Sequence, residues 1–196
     1  MDSNGILWLG AFALVIVAFL GGRVTISPGS VKIDTKGLLE HLRSAERKKG
    51  GTAGAVDLKA LPARKYIAKI LWVDDHPINN QEERLAFADY GVFCDSYTNN
   101  SEALEAFDSG SYELVLSDIG RDSEVESGWN LLAEIRKRDS QIPFGFYTLG
   151  IDAALGKQAS AAGATAIVEK PSDLFIFVVA NLGRRTPKTR GGLTAA

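Results

Sequence analysis

Three aspartates, a threonine and a lysine in this chain each follow a short apolar run. Ile70-Leu71-Trp72-Val73 leads into Asp74-Asp75, and Leu114-Val115-Leu116-Ser117 into Asp118. Phe144-Gly145-Phe146-Tyr147 leads into Thr148, and Ala166-Ile167-Val168-Glu169 into Lys170-Pro171. Apolar runs bounded by polar residues are the pattern of buried parallel strands. In an open α/β sheet the ends of such strands meet along one edge, and that edge carries the site. Three carboxylates, a hydroxyl and an ammonium gathered there suit the binding of a divalent cation and a phosphoryl group. Carboxylates sharing a pocket repel, so one takes up a proton unless a cation compensates. A hard ion with oxygen ligands fits that need, and Mg²⁺ suits phosphoryl chemistry.

The segments between these runs have helical patterning. A helix is predicted from about Ile78 to Tyr90, and Val92–Tyr97 reads as a fifth strand. Asn100 is placed to cap a helix over Ser101–Ser109. Trp129, Leu131, Leu132 and Ile135 mark a helix ending near Lys137, and Ala153–Ala162 is closed by Gly163. The last helix is predicted over Asp173–Leu182. Five βα units in succession predict a parallel sheet covered on both faces.

The net charge of −2 conceals an asymmetry. Residues 23–69 carry a balance of +7, residues 70–182 a balance of −12, and the tail from Gly183 a balance of +4. The acidic domain lacks the clustered Lys and Arg that phosphate contacts require, which argues against nucleic-acid binding. The single cysteine, Cys94, excludes an internal disulfide and a multi-thiolate metal site. It reads as a buried, inert thiol.

Gly5 to Gly22 contains no charged residue. Eighteen helical residues span about 27 Å, enough for the hydrocarbon core of a bilayer. A signal peptide wants a basic leading region, and Met1 to Asn4 offers only Asp2. The segment is therefore expected to be an uncleaved, single-pass helical anchor in an inner or plasma membrane. The basic residues that follow it place the rest of the chain in the cytoplasm. Val24–Ile26 and Val31–Ile33 flank Pro28-Gly29 and predict a hairpin. Asp34 or Thr35 caps a helix reaching about Lys48, with Leu38, Leu39, Leu42 and Ala45 on one face. That stripe suits self-association, hence a homodimer, or packing on the domain. Gly50-Gly51 and the residues after them read as a flexible hinge. The expected organisation is an anchor over 1–22, a basic arm over 23–65, a domain over 66–182 and a disordered basic tail over 183–196.

The domain resembles the receiver domains of the response-regulator family over about 115 of the 196 residues. The matching motifs are Val73-Asp74-Asp75 with Pro77 and Asn79, Leu116-Ser117-Asp118, Tyr147-Thr148, Gly163-Ala164 and Lys170-Pro171. The resemblance implies a flavodoxin-like, doubly wound five-stranded parallel sheet. It implies that Asp75 and Asp118 ligate Mg²⁺ directly, Asp74 through water, and Gly120 through its backbone carbonyl. It further implies that Asp118 accepts a phosphoryl group from the phosphohistidine of a histidine kinase or phosphotransfer protein. Lys170, joined to Pro171 by a cis bond, would pair with the acylphosphate, and Thr148 would switch the contacts made with an output protein. Each of these residues also has a plain structural use: Asp74-Asp75 as a helix cap, Thr148 as a strand end, Lys170 as a surface charge.

The chain departs from the family pattern in four places. The Met-Pro pair after the acceptor is missing, and Gly128 stands about two residues later than usual. Arg121 in that loop is free to swing toward the phosphoryl group or to pair with Asp122 or Glu124. Leu149 is bulky where the family prefers a small residue, and Ile167 replaces a common switch aromatic. These departures motivate an alternative, a phosphorylation-independent interaction module on the same scaffold. A haloacid dehalogenase-type phosphatase also uses a strand-end Asp with Thr and Lys. It wants a second Asp two residues after the nucleophile, where this chain has Gly120.

Overall fold

A computed structural model describes residues 16–19, 22–27, 30–32, 35–51, 56–57, 61, 67–121 and 126–183. Its first elements are strands β1 (Ile16–Phe19), β2 (Gly22–Ser27) and β3 (Ser30–Lys32) and helix α1 (Thr35–Lys48). Next come β4 (Ala68–Val73), a 3₁₀ turn (Pro77–Asn80), α2 (Gln81–Asp89), β5 (Val92–Tyr97), α3 (Asn100–Ser109) and β6 (Leu114–Ser117). The chain continues through α4 (Ser127–Arg138), β7 (Phe144–Tyr147), α5 (Ala153–Ala161), β8 (Ala166–Val168) and α6 (Pro171–Asn181).

The strand order is β5-β4-β6-β7-β8, and every pairing is parallel. Alternation along the central strands divides the core in two. Ile70, Trp72, Leu114 and Leu116 face α2 and α6, with Phe87, Tyr90, Phe175 and Val178. Leu71, Val73 and Val115 face α3, α4 and α5, with Leu131, Leu132, Ile135 and Ala159. This is the expected doubly wound fold. Boundaries moved at the starts of α2 and α3: Pro77–Asn80 is a 3₁₀ turn, and Asn99, not Asn100, caps α3 by accepting the Glu102 N–H at 3.0 Å.

Helix α1 belongs to this domain. Leu38 and Leu42 are buried in the first core among Phe87, Phe175 and Val178, and the helix lies across α2 and α6. The apolar stripe is thus spent on packing within the chain. Polar contacts fix the seat: His41 Nδ1 pairs with the buried Asp89 at 2.8 Å, and Lys48 pairs with Glu82 at 2.7 Å. The expected hinge is corrected in part. Gly50 adopts φ +73°, Gly50 N–H donates to Arg47 O at 3.2 Å, and Gly51 N–H donates to Glu46 O at 2.9 Å. That is a Schellman closure, in which glycine takes the left-handed position that ends the helix.

The N-terminal hairpin is present, with Thr25 opposite Lys32 and Ser27 opposite Ser30. The helical anchor is not found where it can be checked. Residues 5–15 lie outside the described residues, and Ile16–Phe19 pair antiparallel with β2 instead of continuing a helix. In the backbone register Ile16 stands opposite Thr25 and Val17 opposite Val24, and β-branched residues favour strand over helix. Among the described residues no helix is long and apolar enough to cross a membrane. The basic tail from residue 184 also lies outside the described residues.

Candidate functional site

The carboxyl ends of β4, β6 and β7 carry the site. The ladder continues past the strands and sets it: Asp74 N–H donates to Tyr97 O at 2.9 Å, Asp118 N–H to Val73 O at 3.1 Å, and Thr148 N–H to Val168 O at 3.1 Å. Asp74, Asp75, Asp118 and Thr148 therefore line one cleft of about 270 Å³, together with Lys49, His76, Asn79, Asn80, Tyr147, Leu149 and Glu169.

Each acid has a defined surrounding. Asp74 accepts the His76 backbone N–H at 2.7 Å and the Asn80 amide at 2.6 Å. Asp75 is largely buried and stands 3.1 Å from His76 Nδ1. His76 is exposed in the loop beside the acid pair. Asp118 Oδ1 accepts the Ile119 N–H at 2.6 Å. Burial pushes the Asp118 carboxyl above its ordinary range, the nearby Asp74 and Asp75 add to that rise, and hydrogen bonds from Ile119 and the Thr148 side chain oppose it. Among the described residues, no three ligating side chains already converge tightly enough to form a preassembled metal centre. The donor set nevertheless fits Mg²⁺: hard oxygens share a partly desolvated cleft in which one carboxyl is held toward its neutral form. Gly120 is exposed and is not among the residues lining the cleft.

Lys170 is placed apart from the other expected site residues. The chain has no cis peptide bond in its described residues, so Lys170–Pro171 is trans. Pro171 then occupies the first turn of α6, where its fixed φ suits the helix and no N–H is needed. Lys170 is the N-cap residue, is exposed, and does not line the cleft. The described cleft-lining cation of the Lys or Arg type is Lys49, from the end of α1. Its Nζ donates to Asn80 Oδ1 at 3.1 Å, lies 3.6 Å from Glu83 Oε1, and sits 4.4 Å from the Tyr147 ring centroid. Glu83 is itself buried and accepts the Tyr147 hydroxyl at 2.7 Å. Sequence patterning did not single out Lys49, Asn80 or Glu83. The available signal was Lys48-Lys49-Gly50-Gly51, a basic helix end followed by its closing glycines.

The variant loop is anchored from below. Arg121 is buried and donates to Ser117 Oγ at 2.6 Å, to Val73 O at 3.3 Å, and to Asn100 Oδ1. Asn100 in turn donates to Ser127 O at 2.8 Å, at the start of α4. Arg121 thus ties β4, β6, α3 and α4 together beneath the acceptor loop; Asp122 and Glu124 lie outside the described residues. Gly128 closes the loop, its N–H donating to Ile119 O at 2.8 Å. A Cβ there would collide with the Asp118 carbonyl and stand 2.7 Å from Ile119 O. Leu149 is 65% exposed at the rim of the cleft. Ile167 is half-buried against the second core. Burial pushes the Cys94 thiol up to about 12, so it is inert as expected.

A doubly wound sheet of this strand order, with an acid-lined cleft at its carboxyl edge, is the CheY-like, flavodoxin-type fold. Residues 70–177 match the response regulator receiver domain family, and the chain belongs to it. Receiver domains of this type are signalling domains and not conventional enzymes, which removes the phosphatase alternative. The chain is 34% identical over 110 residues to the DNA-binding transcriptional regulator NtrC of Escherichia coli, covering 54% of this chain and 22% of that protein. It therefore spans about a fifth of the length of the curated relatives it matches. Among solved structures, a two-component response regulator from Clostridium difficile is 26% identical with a TM-score of 0.53, covering 60% of this chain and 97% of that one. TrrA of Thermotoga maritima, solved with Mg²⁺-BeF, is 28% identical with a TM-score of 0.52, covering 59% of this chain and all of the other.

Proposed function

We propose that this chain is a phosphoacceptor in a two-component relay, with Asp118 as the acceptor. The observation that carries this reading is the single cleft shared by Asp74, Asp75, Asp118 and Thr148. Asp75 and Asp118 would hold Mg²⁺ directly and Asp74 through water, with the Gly120 carbonyl as a further backbone ligand. When bound, the ion neutralises the acids and the developing charge on the transferred group. An Asp118 carboxylate oxygen forms the new bond to phosphorus as the bond to the donor nitrogen or oxygen breaks, its electron pair leaving with the donor. Thr148, whose side chain opposes the rise in the Asp118 proton affinity, would follow the phosphoryl oxygen and so shift the loop that begins at Leu149.

The donor would be the phosphohistidine of a histidine kinase or a phosphotransfer protein, and the output would pass through protein contacts. Incubating the full chain with acetyl phosphate and Mg²⁺ should label it, and Asp118→Asn should abolish the label. A wild-type chain that stays unlabelled, or a label that survives the substitution, defeats the reading. The exposed Lys170 favours one second reading, an interaction module that keeps the scaffold without phosphorylation. Failure to bind Mg²⁺ in a titration would select that alternative.

Membrane attachment remains part of the proposal on sequence grounds: eighteen uncharged residues precede a basic arm. The expectation is sedimentation with membranes through alkaline washing, with the acidic domain open to protease only from the cytoplasmic side. Release by the wash would refute it.

A further inference from the structure

A cleft that is to hold a phosphoryl group needs a cation to pair with it, and Lys170, at the β8 end, is exposed and not among the residues lining this one. Lys49 does, and it comes from a helix outside the family-matched span of residues 70–177. Its placement is not that of a loose surface lysine. Leu38, Leu42 and Ala45 bury the face of α1. Glu46, only 2% exposed, accepts the Ser172 backbone N–H at 3.0 Å and so caps α6 from outside it. The closure through Gly50 and Gly51 then fixes Lys49 as the first residue past the helix, directed over the Tyr147 ring. The Lys49 side chain keeps 21% of its exposure, and the groups holding it are a neutral amide, an aromatic face and a carboxylate at 3.6 Å. None of these is a short ionic contact, so an incoming dianion competes with them readily. Asn80, which accepts from Lys49, also donates to Asp74, and Tyr147 directly precedes Thr148. Lys49 is thereby linked to the acid pair on one side and to the hydroxyl strand on the other.

We propose that Lys49, from the added helix α1, is the anion-binding residue that pairs with the phosphoryl group on Asp118. No bond to Lys49 forms or breaks; its ammonium leaves Asn80 and Glu83 for a phosphoryl oxygen and carries the end of α1 with it. This rests on Asp118 being the acceptor.

The test uses the full chain and four variants: Lys49→Met, Lys49→Arg, Lys48→Met and Lys170→Met. Each is labelled with acetyl phosphate and Mg²⁺, then titrated with Mg²⁺ alone while tryptophan fluorescence is followed. Lys49→Met should lower the labelled fraction about tenfold, the scale of one charge-assisted hydrogen bond. The same variant should bind Mg²⁺ more tightly, because a positive charge has left an acidic cleft. Lys49→Arg should restore most of the label, and Lys48→Met, whose partner is Glu82 on the surface, should label normally. A helix that merely lost its seat would bind Mg²⁺ more weakly and melt earlier, and that outcome overturns the assignment. Normal labelling of Lys49→Met, or a loss confined to Lys170→Met, overturns it while leaving Asp118 as acceptor. No label on the wild type removes both.

Discussion

At the scale of single residues, the cleft is an electrostatic problem that the protein alone leaves unsolved. Asp118 sits half-buried beside two other carboxylates, and two hydrogen bonds only partly offset the rise in its proton affinity. The folded chain therefore holds a proton on Asp118 more tightly than the unfolded chain does. Stability without metal consequently carries a penalty at neutral pH, where the group is charged. That penalty fades as pH falls through the raised folded-state value, and it is gone below the ordinary carboxylate value of about 4. Asp118→Asn removes it at all pH values. In metal-free buffer at pH 7 the variant should melt higher than the wild type, by about 2–4 °C for each kcal/mol relieved. The gap should narrow toward pH 4, and Mg²⁺ should stabilise the wild type more than the variant. A variant that melts lower than the wild type at pH 7 would show that burying the Asp118 charge beside the other two acids carries no such penalty. The aspartates and Thr148 were legible because they end apolar runs, and strand ends converge by topology. Lys170 also ends such a run, yet as the exposed N-cap of the helix that starts at Pro171 it does not line the cleft; strand position fixes where a backbone stops, not where a long side chain goes.

At the scale of elements, two junctions depend on contacts that no local pattern announces. The first is the acceptor loop, where Gly128 lets α4 start against the Asp118 carbonyl. Gly128→Ala forces that carbonyl and Ile119 apart from the helix, and the change should cost about 1–3 kcal/mol in denaturant melts. It should also reduce labelling of Asp118, since the loop that carries the acceptor must move. Unchanged stability and labelling would mean the loop relaxes freely. The second junction is the start of α6, whose own N-cap, Lys170, offers no capping side chain. Glu46 supplies the acceptor instead, and Glu46→Ala should lower stability by about 1–2 kcal/mol, with Glu46→Gln recovering part of it. The central strands β4, β6 and β7 were readable from composition because they are buried almost throughout, and the half-buried edge strands β5 and β8 from their place in the alternation of elements. Helix α1 was readable as an amphipathic stripe, but a stripe does not name its partner; both self-association and packing satisfy it. The uncharged N-terminal segment reads as a helix by hydropathy alone, while Ile16–Phe19 follow β-branched pairing with β2.

At the scale of the whole molecule, α1 alters what counts as the domain. The family-matched span begins at residue 70, and a cut at Tyr66 looks natural from sequence, because the arm before it is basic and glycine-rich. Yet Leu38 and Leu42 fill the same core as Phe87, Tyr90, Phe175 and Val178. A piece starting at Tyr66 would expose that apolar surface between α2 and α6 and remove His41 from Asp89 and Glu46 from the Ser172 N–H. The point substitution Leu42→Ala in the full chain should cost about 2–5 kcal/mol, the range for emptying a buried leucine site. The truncated piece should unfold at lower denaturant than that variant, and with a smaller m-value, since less surface is exposed when it unfolds. It should also lose the Lys49 contribution to labelling even where enough of it remains folded to be assayed. Should the piece from Tyr66 match the full chain in midpoint and slope, α1 would be an accessory lying on a finished domain, and its lysine could not be coupled to the cleft through packing.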